Sequence, residues 1–306
     1  MTENMRKFLL YFEPIKTYWK LSNQDEIRHQ SDLGIYPSSI APRVGQGHYD
    51  LFDSDGIPGV YDGENRFMHH WTTICSYALA QWELYLRSGE ELHSHEFMKI
   101  ANFLANNYED EKDGVVFILY RDATKTSGIN CAMNQGEAIS VLLRAFELTG
   151  NRKYLKLAEA AAIPFSRECE EGGVISYIPN TDIIWYLEAG KFILNGHNYA
   201  LWGLWELNKV LNSDQSNKLF QQGLQSLEKA LPLFDAGYWS WYWVNERKYM
   251  ATIMYHNLHI IQLEHLASVT ESKIIGFYAK KFDLYSANPL NRLRSAASVF
   301  KSKVSK

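Results

Sequence analysis

The residues best suited to chemistry in this chain lie between positions 237 and 265. The first part of this stretch is aromatic and contains Tyr238, Trp239, Trp241, Tyr242 and Trp243. Its alternation predicts a strand with an aromatic face. The second part has a helical pattern and carries Tyr255, His256 and His259. Tyr and Trp rings can stack on sugar faces, and phenols and imidazoles can transfer protons. The stretch therefore predicts either a carbohydrate cleft or an aromatic core.

A repeated pair of helices must position this stretch. Four amphipathic segments with apolar residues at three- and four-residue steps cover residues 76–89, 138–150, 199–210 and 259–270. Each segment carries one glutamate near the same point, and these are Glu83, Glu147, Glu206 and Glu264. We expect these glutamates to cap or pair with neighbouring helices. After a polar break, each segment is followed by a second predicted helix, at residues 96–108, 153–166, 217–231 and 273–284.

Segments rich in aromatic and β-branched residues separate the helix pairs and predict strands, at residues 115–121, 172–179 and 238–244. A unit that recurs along a chain is typical of a repeat architecture. Four helical hairpins can bury their apolar faces by closing into a ring or by stacking in an open row. The sequence predicts a mainly α fold, an (α/α) toroid of about four helical hairpins with short β insertions gathered over one mouth. An open solenoid is the alternative.

The chain divides into three predicted parts. Residues 1–66 form an N-terminal helix and a loop-rich extension, and residues 67–287 form the (α/α) barrel that would hold the catalytic residues. Residues 288–306 form a basic tail, which we expect to be solvated, with contact to an anionic polymer or lipid surface as the alternative. Within the extension, Asp53 and Asp55 precede Gly56 like the start of a calcium loop. The later ligands are missing, so an Asp-Gly turn is favoured.

Composition limits the class of protein. A chain of 306 residues can bury a large core, and its formal net charge of −4 does not indicate nucleic-acid binding. Cys75, Cys131 and Cys169 lie far apart and are predicted to be reduced thiols rather than metal ligands. We expect no membrane span and no signal peptide. The sequence thus predicts a cytoplasmic protein without metal or cofactor, with association with a polysaccharide synthesis or export complex as an alternative.

Six segments occur in the order of one known family: DSDGIP with YALAQWELYL, MNQGEAISVLLRAFELTG, FILNGHNYALWGLWEL, LPLFDAGYWSWY, MYHNLHIIQLEHL and NPLNRLR. They cover about residues 31–295. With these segments the chain resembles the C-terminal catalytic region of the D-glucuronyl C5-epimerase family. The resemblance implies an (α/α) barrel, a homodimer, and conversion of D-glucuronate to L-iduronate in heparosan-type polysaccharides. It therefore implies an anionic uronate polysaccharide or oligosaccharide as the partner.

The resemblance also implies roles for particular residues. Tyr255 in MYHNLH matches a family tyrosine that opens a helix, and Tyr242 matches one in the aromatic strand, where Tyr238 competes. The family has Glu-Tyr-Pro before the LNG helix, whereas this chain has WYLEAGKFILNG. Tyr186 and Glu188 are therefore the catalytic candidates at that point, in reversed order. The candidate substrate-binding residues are Gln135, Asn195, Trp241, Arg247, His256 and His259.

Epimerisation at C5 of a uronate makes defined demands on such residues. One group removes the C5 proton, another returns a proton to the opposite face, and cations or hydrogen-bond donors stabilise the charge on the carboxylate. Two tyrosines on opposite sides of the ring and a carboxylate would meet these demands. A tyrosine is a ready acid, but it is a base only if its pKa of about 10 is lowered. Two other functions fit the pattern: a polysaccharide lyase acting by β-elimination, and a non-catalytic protein that binds uronate glycans.

Overall fold

The computed structural model describes residues 9–11, 20–117 and 130–304. Part of the N-terminal helix predicted within residues 1–30 lies outside these ranges. So do residues 118–121 of the first predicted insertion strand and the last two residues of the predicted tail. The described part of the chain is mainly helical. Its helices are too short or too polar to cross a lipid bilayer.

Nine long helices account for most of the described residues. They are α1 (Trp71–Ser88), α2 (Glu91–Asn106), α3 (Ala132–Thr149), α4 (Arg152–Ala162), α5 (Leu194–Leu211), α6 (Asp214–Phe234), α7 (Ile253–Thr270), α8 (Lys273–Ala287) and α9 (Pro289–Val304). A single helical turn, Pro42–Gly45, precedes them. The first helix of each pair begins more than one turn earlier than its apolar pattern predicts. Residues in these first turns, such as Thr72 and Asn195, face a cavity instead of the core, which interrupts the apolar pattern.

The helix pairs form the (α/α) toroid that the repeat predicts. Helices α1, α3, α5 and α7 pack side by side in that order, and each is covered by the next helix along the chain. The N-terminal segment reaches both ends of this row. Strand β1 (Lys20–Leu21) contacts α7, whereas the turn Pro42–Gly45 contacts α1. We call α1, α3, α5 and α7 the inner helices. The N-terminal segment, which the sequence predicts to be an extension, therefore joins the first inner helix, α1, to the last, α7.

Short strands form five separate two-stranded antiparallel sheets in the described ranges. The pairs are β1 with β2 (Ser38–Ser39), β3 (Val60–Tyr61) with β4 (Phe67–Met68), β5 (Glu109–Glu111) with β6 (Gly114–Val116), β7 (Ile175–Tyr177) with β8 (Ile184–Tyr186), and β9 (Trp241–Trp243) with β10 (Tyr249–Met250). Strands β7 and β9 confirm two of the predicted insertion strands, although each is only three residues long.

Three of the repeated glutamates stabilise the ring, as expected. Glu83 and Glu147 accept hydrogen bonds from backbone N–H groups of the N-terminal segment at 2.8–3.1 Å. Glu206 on α5 forms a buried ion pair with Arg144 on α3, with 2.7 Å between Oε1 and Nη2. Glu264 is exposed. The recurring glutamate is thus a structural feature of the inner helices rather than a set of catalytic groups.

Two glycines allow α3 and α5 to approach closely beside the cavity. A Cβ atom on Gly136 would lie 2.5 Å from the Tyr199 carbonyl oxygen, and one on Gly203 would lie 2.3 Å from the Gly136 carbonyl oxygen. Both distances are shorter than atomic contact permits, so a side chain at either position would separate the helices. This contact fixes the spacing of the residues that α3 and α5 present to the cavity.

The C-terminal residues form a packed helix rather than the solvated tail that the sequence predicts. Helix α9 contacts β10 and α8, and it buries Ala296 and Val299 in a cluster with Trp239. The guanidinium of Arg294 lies 3.9 Å from the ring centroid of Tyr238. The apolar positions of α9 share one face but are diluted by many basic residues, so the average composition hides them. The division into three domains stays a prediction.

Asp53 organises a turn, which confirms the favoured interpretation of this motif. Its Oδ1 accepts hydrogen bonds from the backbone N–H groups of Asp55 and Ile57 at 2.9 and 2.8 Å. Its Oδ2 lies 2.7 Å from Nε2 of His69. These contacts occupy both carboxylate oxygens.

Candidate active site

A cavity of about 350 Å³ lies where the inner helices of the ring begin. Thr72, Met133, Asn195 and Tyr255 stand in the first turns of α1, α3, α5 and α7, and all four line this cavity. The partial positive charges of four helix N-termini therefore surround one space. Further lining residues come from the N-terminal segment, from the loop after β8, and from β9. The site is thus assembled from every helical hairpin of the ring.

Two tyrosines form one wall of the cavity. Tyr242 on β9 and Tyr255 on α7 have ring centroids 4.5 Å apart, and their hydroxyls share a hydrogen bond. Burial raises the pKa of both phenols, and the negative charge of Glu188 adds to the shift. Both phenols are therefore neutral at pH 7 and can donate protons. A sugar ring does not fit between two aromatic rings this close, so a substrate cannot lie between Tyr242 and Tyr255.

Glu188 lies beside the tyrosine pair, in the loop between β8 and α5. It packs over Gly196 in the first turn of α5, where an added Cβ atom would lie 2.1 Å from Glu188 Oε2. The glycine of the LNG segment thus makes room for the carboxyl group. Burial raises the pKa of Glu188 to about 7, although the Lys191 charge opposes this. At neutral pH a substantial fraction of Glu188 is ionised and can accept a proton.

Two cationic side chains line the same cavity. Arg43 comes from the helical turn of the N-terminal segment, is only 7% exposed, and donates a hydrogen bond to the Tyr49 hydroxyl. Lys191 comes from the loop between β8 and α5, and its Nζ lies 4.6 Å from the ring centroid of Trp243. Arg43 lies outside the segments that the sequence marks, whereas Lys191 lies in the WYLEAGKFILNG segment but was not predicted as a site residue. Together with the helix N-termini, they can bind and neutralise a carboxylate.

A second carboxyl group, Glu137 on α3, also lines the cavity, although no motif in the sequence singles it out. It is 1% exposed, and its Oε2 has no hydrogen-bond partner in the described part of the chain. Burial raises the pKa of Glu137 well above its usual range; the charge of Arg43 opposes this shift and that of Glu188 adds to it. One feature of the sequence could have identified Glu137: it directly follows Gly136, the glycine at which α3 contacts α5.

Tyr186 lies outside the cavity, which corrects its predicted catalytic placement. Its side chain points from β8 into the core, where its hydroxyl donates to the Leu219 carbonyl oxygen at 2.7 Å. Its ring stacks on His197 with 5.1 Å between centroids. The residue that follows Glu188 is Ala189, which adopts a left-handed φ of 50° and lines the cavity with a methyl group. Of the reversed pair, only Glu188 reaches the site.

His256 and His259 attach β9 to α7 rather than lining the cavity. The Ser240 hydroxyl lies 2.7 Å from Nδ1 of His256 and 2.9 Å from Nδ1 of His259. Both histidines are completely buried, and burial lowers the pKa of each, so both are neutral. Because Ser240 lies directly before β9, which carries Tyr242, and His256 follows Tyr255 on the helix, these hydrogen bonds set the contact between the two tyrosines.

The other predicted binding residues are divided between the cavity and the core. Asn195 lines the cavity, and its buried Oδ1 has no hydrogen-bond partner among the described residues. Gln135 instead uses its amide to hold backbone groups, accepting from Phe117 N at 2.6 Å and donating to two carbonyls. Trp241 packs against core residues. Tyr238 packs under α9, so Tyr242 is the strand tyrosine that reaches the cavity.

A groove of about 500 Å³ adjoins the cavity and shares Lys191 and Trp243 with it. The predicted binding residue Arg247 lines this groove, next to Lys248. Tyr249 stacks on Trp243 with 4.8 Å between ring centroids. Aromatic faces beside cationic groups are suited to the rings and carboxylates of anionic sugars.

The sequence that builds this site matches one known family. The family model for the D-glucuronyl C5-epimerase C-terminus matches residues 115–284, which is more than half of the chain. The chain belongs to this family. The match includes Glu137, Glu188, Tyr242 and Tyr255, whereas Arg43 lies before it. In this C5-epimerase family member, the arginine of the cavity therefore comes from the N-terminal segment, outside the residues that the family model matches.

Relatives of this C5-epimerase family member occur in animals and archaea. The chain is 30% identical over 221 residues to the D-glucuronyl C5-epimerase of Caenorhabditis elegans, an alignment that covers 64% of this chain and 36% of that protein. It is 30% identical over 186 residues to an uncharacterized protein of Methanocaldococcus jannaschii, covering 56% of this chain and 59% of that protein. The chain therefore spans little more than a third of the nematode protein.

Solved structures of other proteins share the toroid. The cellobiose 2-epimerase of Spirochaeta thermophila has a TM-score of 0.54 at 10% identity, covering 83% of this chain and 78% of that one. A GH76 α-mannanase of Bacteroides thetaiotaomicron has a TM-score of 0.54 at 9% identity, covering 99% of this chain and 96% of that one. At such low identity these similarities concern the fold alone.

Proposed function

We propose that this chain is a carbohydrate epimerase that inverts C5 of uronic acid residues within an anionic polysaccharide. The observation that carries the proposal is the meeting of Glu188, Tyr242, Tyr255 and Arg43 in one cavity of the ring. A carboxylate base, two neutral phenols and a cation are the groups that proton transfer next to a sugar carboxylate requires.

In the proposed reaction, ionised Glu188 accepts the C5 proton. The electron pair of the broken C–H bond moves into the substrate carboxylate, where negative charge accumulates. Arg43, which lines the cavity, and the positive ends of the inner helix dipoles stabilise this charge. The hydroxyls of Tyr242 and Tyr255 donate hydrogen bonds on the same side as Glu188. A proton delivered to the opposite face of C5 completes the inversion.

The adjoining groove supports a polymer rather than a single sugar as the substrate. With one uronate in the cavity, the next residue of the chain would lie against Trp243, the side chain common to both spaces. Arg247 would then interact with a carboxylate further along the polymer. Lys191, at the junction, can contact either sugar. A continuous surface of this kind uses binding energy from distant residues of the substrate to hold the reacting one in place.

The proposal is tested by hydrogen exchange at C5. The protein is incubated in D₂O with heparosan-type polysaccharide, and the product is analysed by NMR. We expect deuterium at C5 and the appearance of L-iduronate without shortening of the polymer. A Tyr238→Phe variant is a suitable positive control, because this ring packs under α9 away from the cavity.

Other outcomes select the alternative functions. Chain cleavage with an absorbance rise from an unsaturated uronate would identify a lyase, which removes the same proton and then expels the C4 substituent. Tight binding of uronate polymers without any C5 exchange would identify a glycan-binding protein. Either result overturns the proposed epimerase.

A further inference from the structure

Helix α8 carries large apolar side chains on two opposite faces. One face packs against the ring, chiefly against α7, and buries Ile275, Ala279 and Phe282. The opposite face holds Phe277 and Leu284, whose side chains are 58% and 70% exposed. Packing against the ring accounts for the first face, whereas the second face points away from it.

The exposed apolar side chains continue from α8 into α9. Ile274, nearly one turn before Phe277, is exposed, as are Leu290 and Leu293 at the start of α9. Asn288 joins the two helices directly: it ends α8, and its Oδ1 accepts a hydrogen bond from the Leu290 backbone N–H at 2.9 Å. Single exposed apolar residues are ordinary on a protein surface, but five within twenty residues indicate an interaction site.

The outer face of α8 also carries cations. Lys273 and Lys280 alternate with Phe277 and Leu284 at steps of four, three and four residues, so the four side chains share this face. Both lysines are exposed, and neither forms an ion pair within the described part of the chain. The outer face therefore combines apolar side chains with free ammonium groups.

The two helices differ in charge from the chain as a whole. Together α8 and α9 contain seven lysine or arginine residues and one acidic residue, Asp283, whereas the formal net charge of the chain is −4. Asp283 lies on the flank of α8 close to Glu264, whose pKa is raised by burial and by the Asp283 charge. Lys281 pairs with Asp235, with 2.6 Å between Nζ and Oδ2. Positive charge therefore dominates the outer face of α8.

We infer that the outer face of α8 and the start of α9 bind the surface of a lipid bilayer that contains anionic lipids. The lysines would interact with the negatively charged headgroups, and the apolar side chains between them would enter the boundary of the acyl chains. The helices would lie along the bilayer, since none of the described helices is long and apolar enough to cross it. This inference does not depend on the chemistry of the cavity.

Two other partners fit this surface less well. An anionic polysaccharide could pair with Lys273 and Lys280, but it offers no apolar phase, so Leu284 and Leu290 would remain in water. A second copy of the chain bound by two-fold symmetry would bring the same lysines of both copies together. A bilayer with anionic lipids provides both the negative charge and the apolar interior that match the surface.

Co-sedimentation with vesicles tests the inference. The full chain is mixed with vesicles of phosphatidylcholine alone, or with vesicles of equal parts phosphatidylcholine and phosphatidylglycerol. The protein should sediment with the anionic vesicles only, and added salt should weaken this binding. The double variant Phe277→Ser, Leu284→Ser should bind them about tenfold more weakly or worse. Leu92→Ser on α2 is the matched control, because this leucine is also exposed but lies on another helix.

A second double variant tests the contribution of charge. Lys273→Gln, Lys280→Gln should lower the affinity for the anionic vesicles by about tenfold, because each lysine near the bilayer adds attraction to its negative surface. Lys156→Gln removes an exposed lysine from α4 and should bind like wild type. The substituted side chains are all exposed, so the unfolding temperatures of the variants should match that of wild type.

Other outcomes overturn the inference. Equal sedimentation of wild type with both kinds of vesicle, or with neither, would exclude anionic lipid as the partner. Binding to heparosan-type polysaccharide that is lost in Lys273→Gln, Lys280→Gln, without binding to vesicles, would assign the surface to the polymer. A dimer in solution that is lost in Phe277→Ser, Leu284→Ser, again without binding to vesicles, would assign it to a second copy of the chain.

Discussion

Tyr242 and Tyr255 meet where β9 crosses the start of α7, with 4.5 Å between their ring centroids and a hydrogen bond between their hydroxyls. This contact joins the aromatic insertion to the helical ring at the cavity. We predict that Tyr255→Phe lowers C5 exchange by about 10²–10⁴-fold, because it removes a positioned proton donor. The unfolding temperature should change little, since only one hydroxyl is lost. Tyr238→Phe is the matched control, and equal exchange in both variants would contradict the role of Tyr255.

Gly196 determines where the Glu188 carboxyl group lies. We predict that Gly196→Ala displaces this group, because the added methyl would overlap Oε2. A displacement of about 1 Å lowers the rate of C5 exchange by about 10²-fold. The control is Gly276→Ala on α8, where an added Cβ would lie 3.6 Å from the nearest atom, Ala267 Cβ. Normal exchange in Gly196→Ala would show that Glu188 is not the base.

Glu188 should also make stability depend on pH. Its pKa is about 7 in the folded protein, against about 4.3 for an unperturbed glutamate. Between these values the folded state binds more protons than the unfolded state, so the free energy of unfolding decreases as pH rises. The Glu188→Gln variant has no carboxyl group to ionise at this position, so it lacks this decrease in the free energy of unfolding. The variant should gain roughly 1–3 kcal/mol relative to wild type between pH 4 and pH 8, as measured by denaturant unfolding. A difference that does not change with pH would exclude this explanation.

The buried ion pair between Glu206 and Arg144 gives a prediction about stability alone. We expect Glu206→Ala to lower the free energy of unfolding by about 3–5 kcal/mol, because Arg144 would be left as an unpaired charge in the core. Glu264→Ala removes the glutamate from the same position of another repeat, where the side chain is exposed. This control should shift stability by less than about 0.5 kcal/mol. A similar decrease in the free energy of unfolding in both variants would contradict the structural role of the Glu206–Arg144 ion pair.

The ring was predictable from the sequence because its helices are long and strongly patterned. Apolar residues at helical spacing recur in four segments, and the glutamate of each marks the same register. The starts of the helices were less predictable. Their first turns, such as that around Asn195, contact the cavity and follow no apolar pattern. The apolar pattern therefore predicted the helices of the ring but not their first turns, which line the cavity.

The candidate site was predictable only where a local motif marks it. Asn195, Tyr242 and Tyr255 lie in segments that carry the family resemblance, Glu188 lies just before one of them, and all four line the cavity. Tyr186 lies two residues before Glu188, where this chain departs from the family pattern. Whether its side chain faced the cavity or the core depended on how a three-residue strand is seated, which sequence spacing does not specify.

The cavity residues that were not predicted depend on tertiary contacts. Arg43 reaches the site because the N-terminal segment spans from α7 to α1. Glu137 does so because α3 lies close to α5 at paired glycines. His256 and His259 were candidates through their type and spacing alone. Their shared partner, Ser240, lies on a different element and shows that their role is to hold the strand.

The N-terminal segment also has a consequence for how the protein is made. A ribosome delivers Arg43 early, whereas Tyr255 emerges only after three helical hairpins have been synthesised. The two side chains share a cavity only after the last inner helix docks against the first-made segment. A nascent or truncated ring that lacks α7 would lack the wall of the cavity that carries Tyr255. The candidate site is therefore completed only in the last step of assembly.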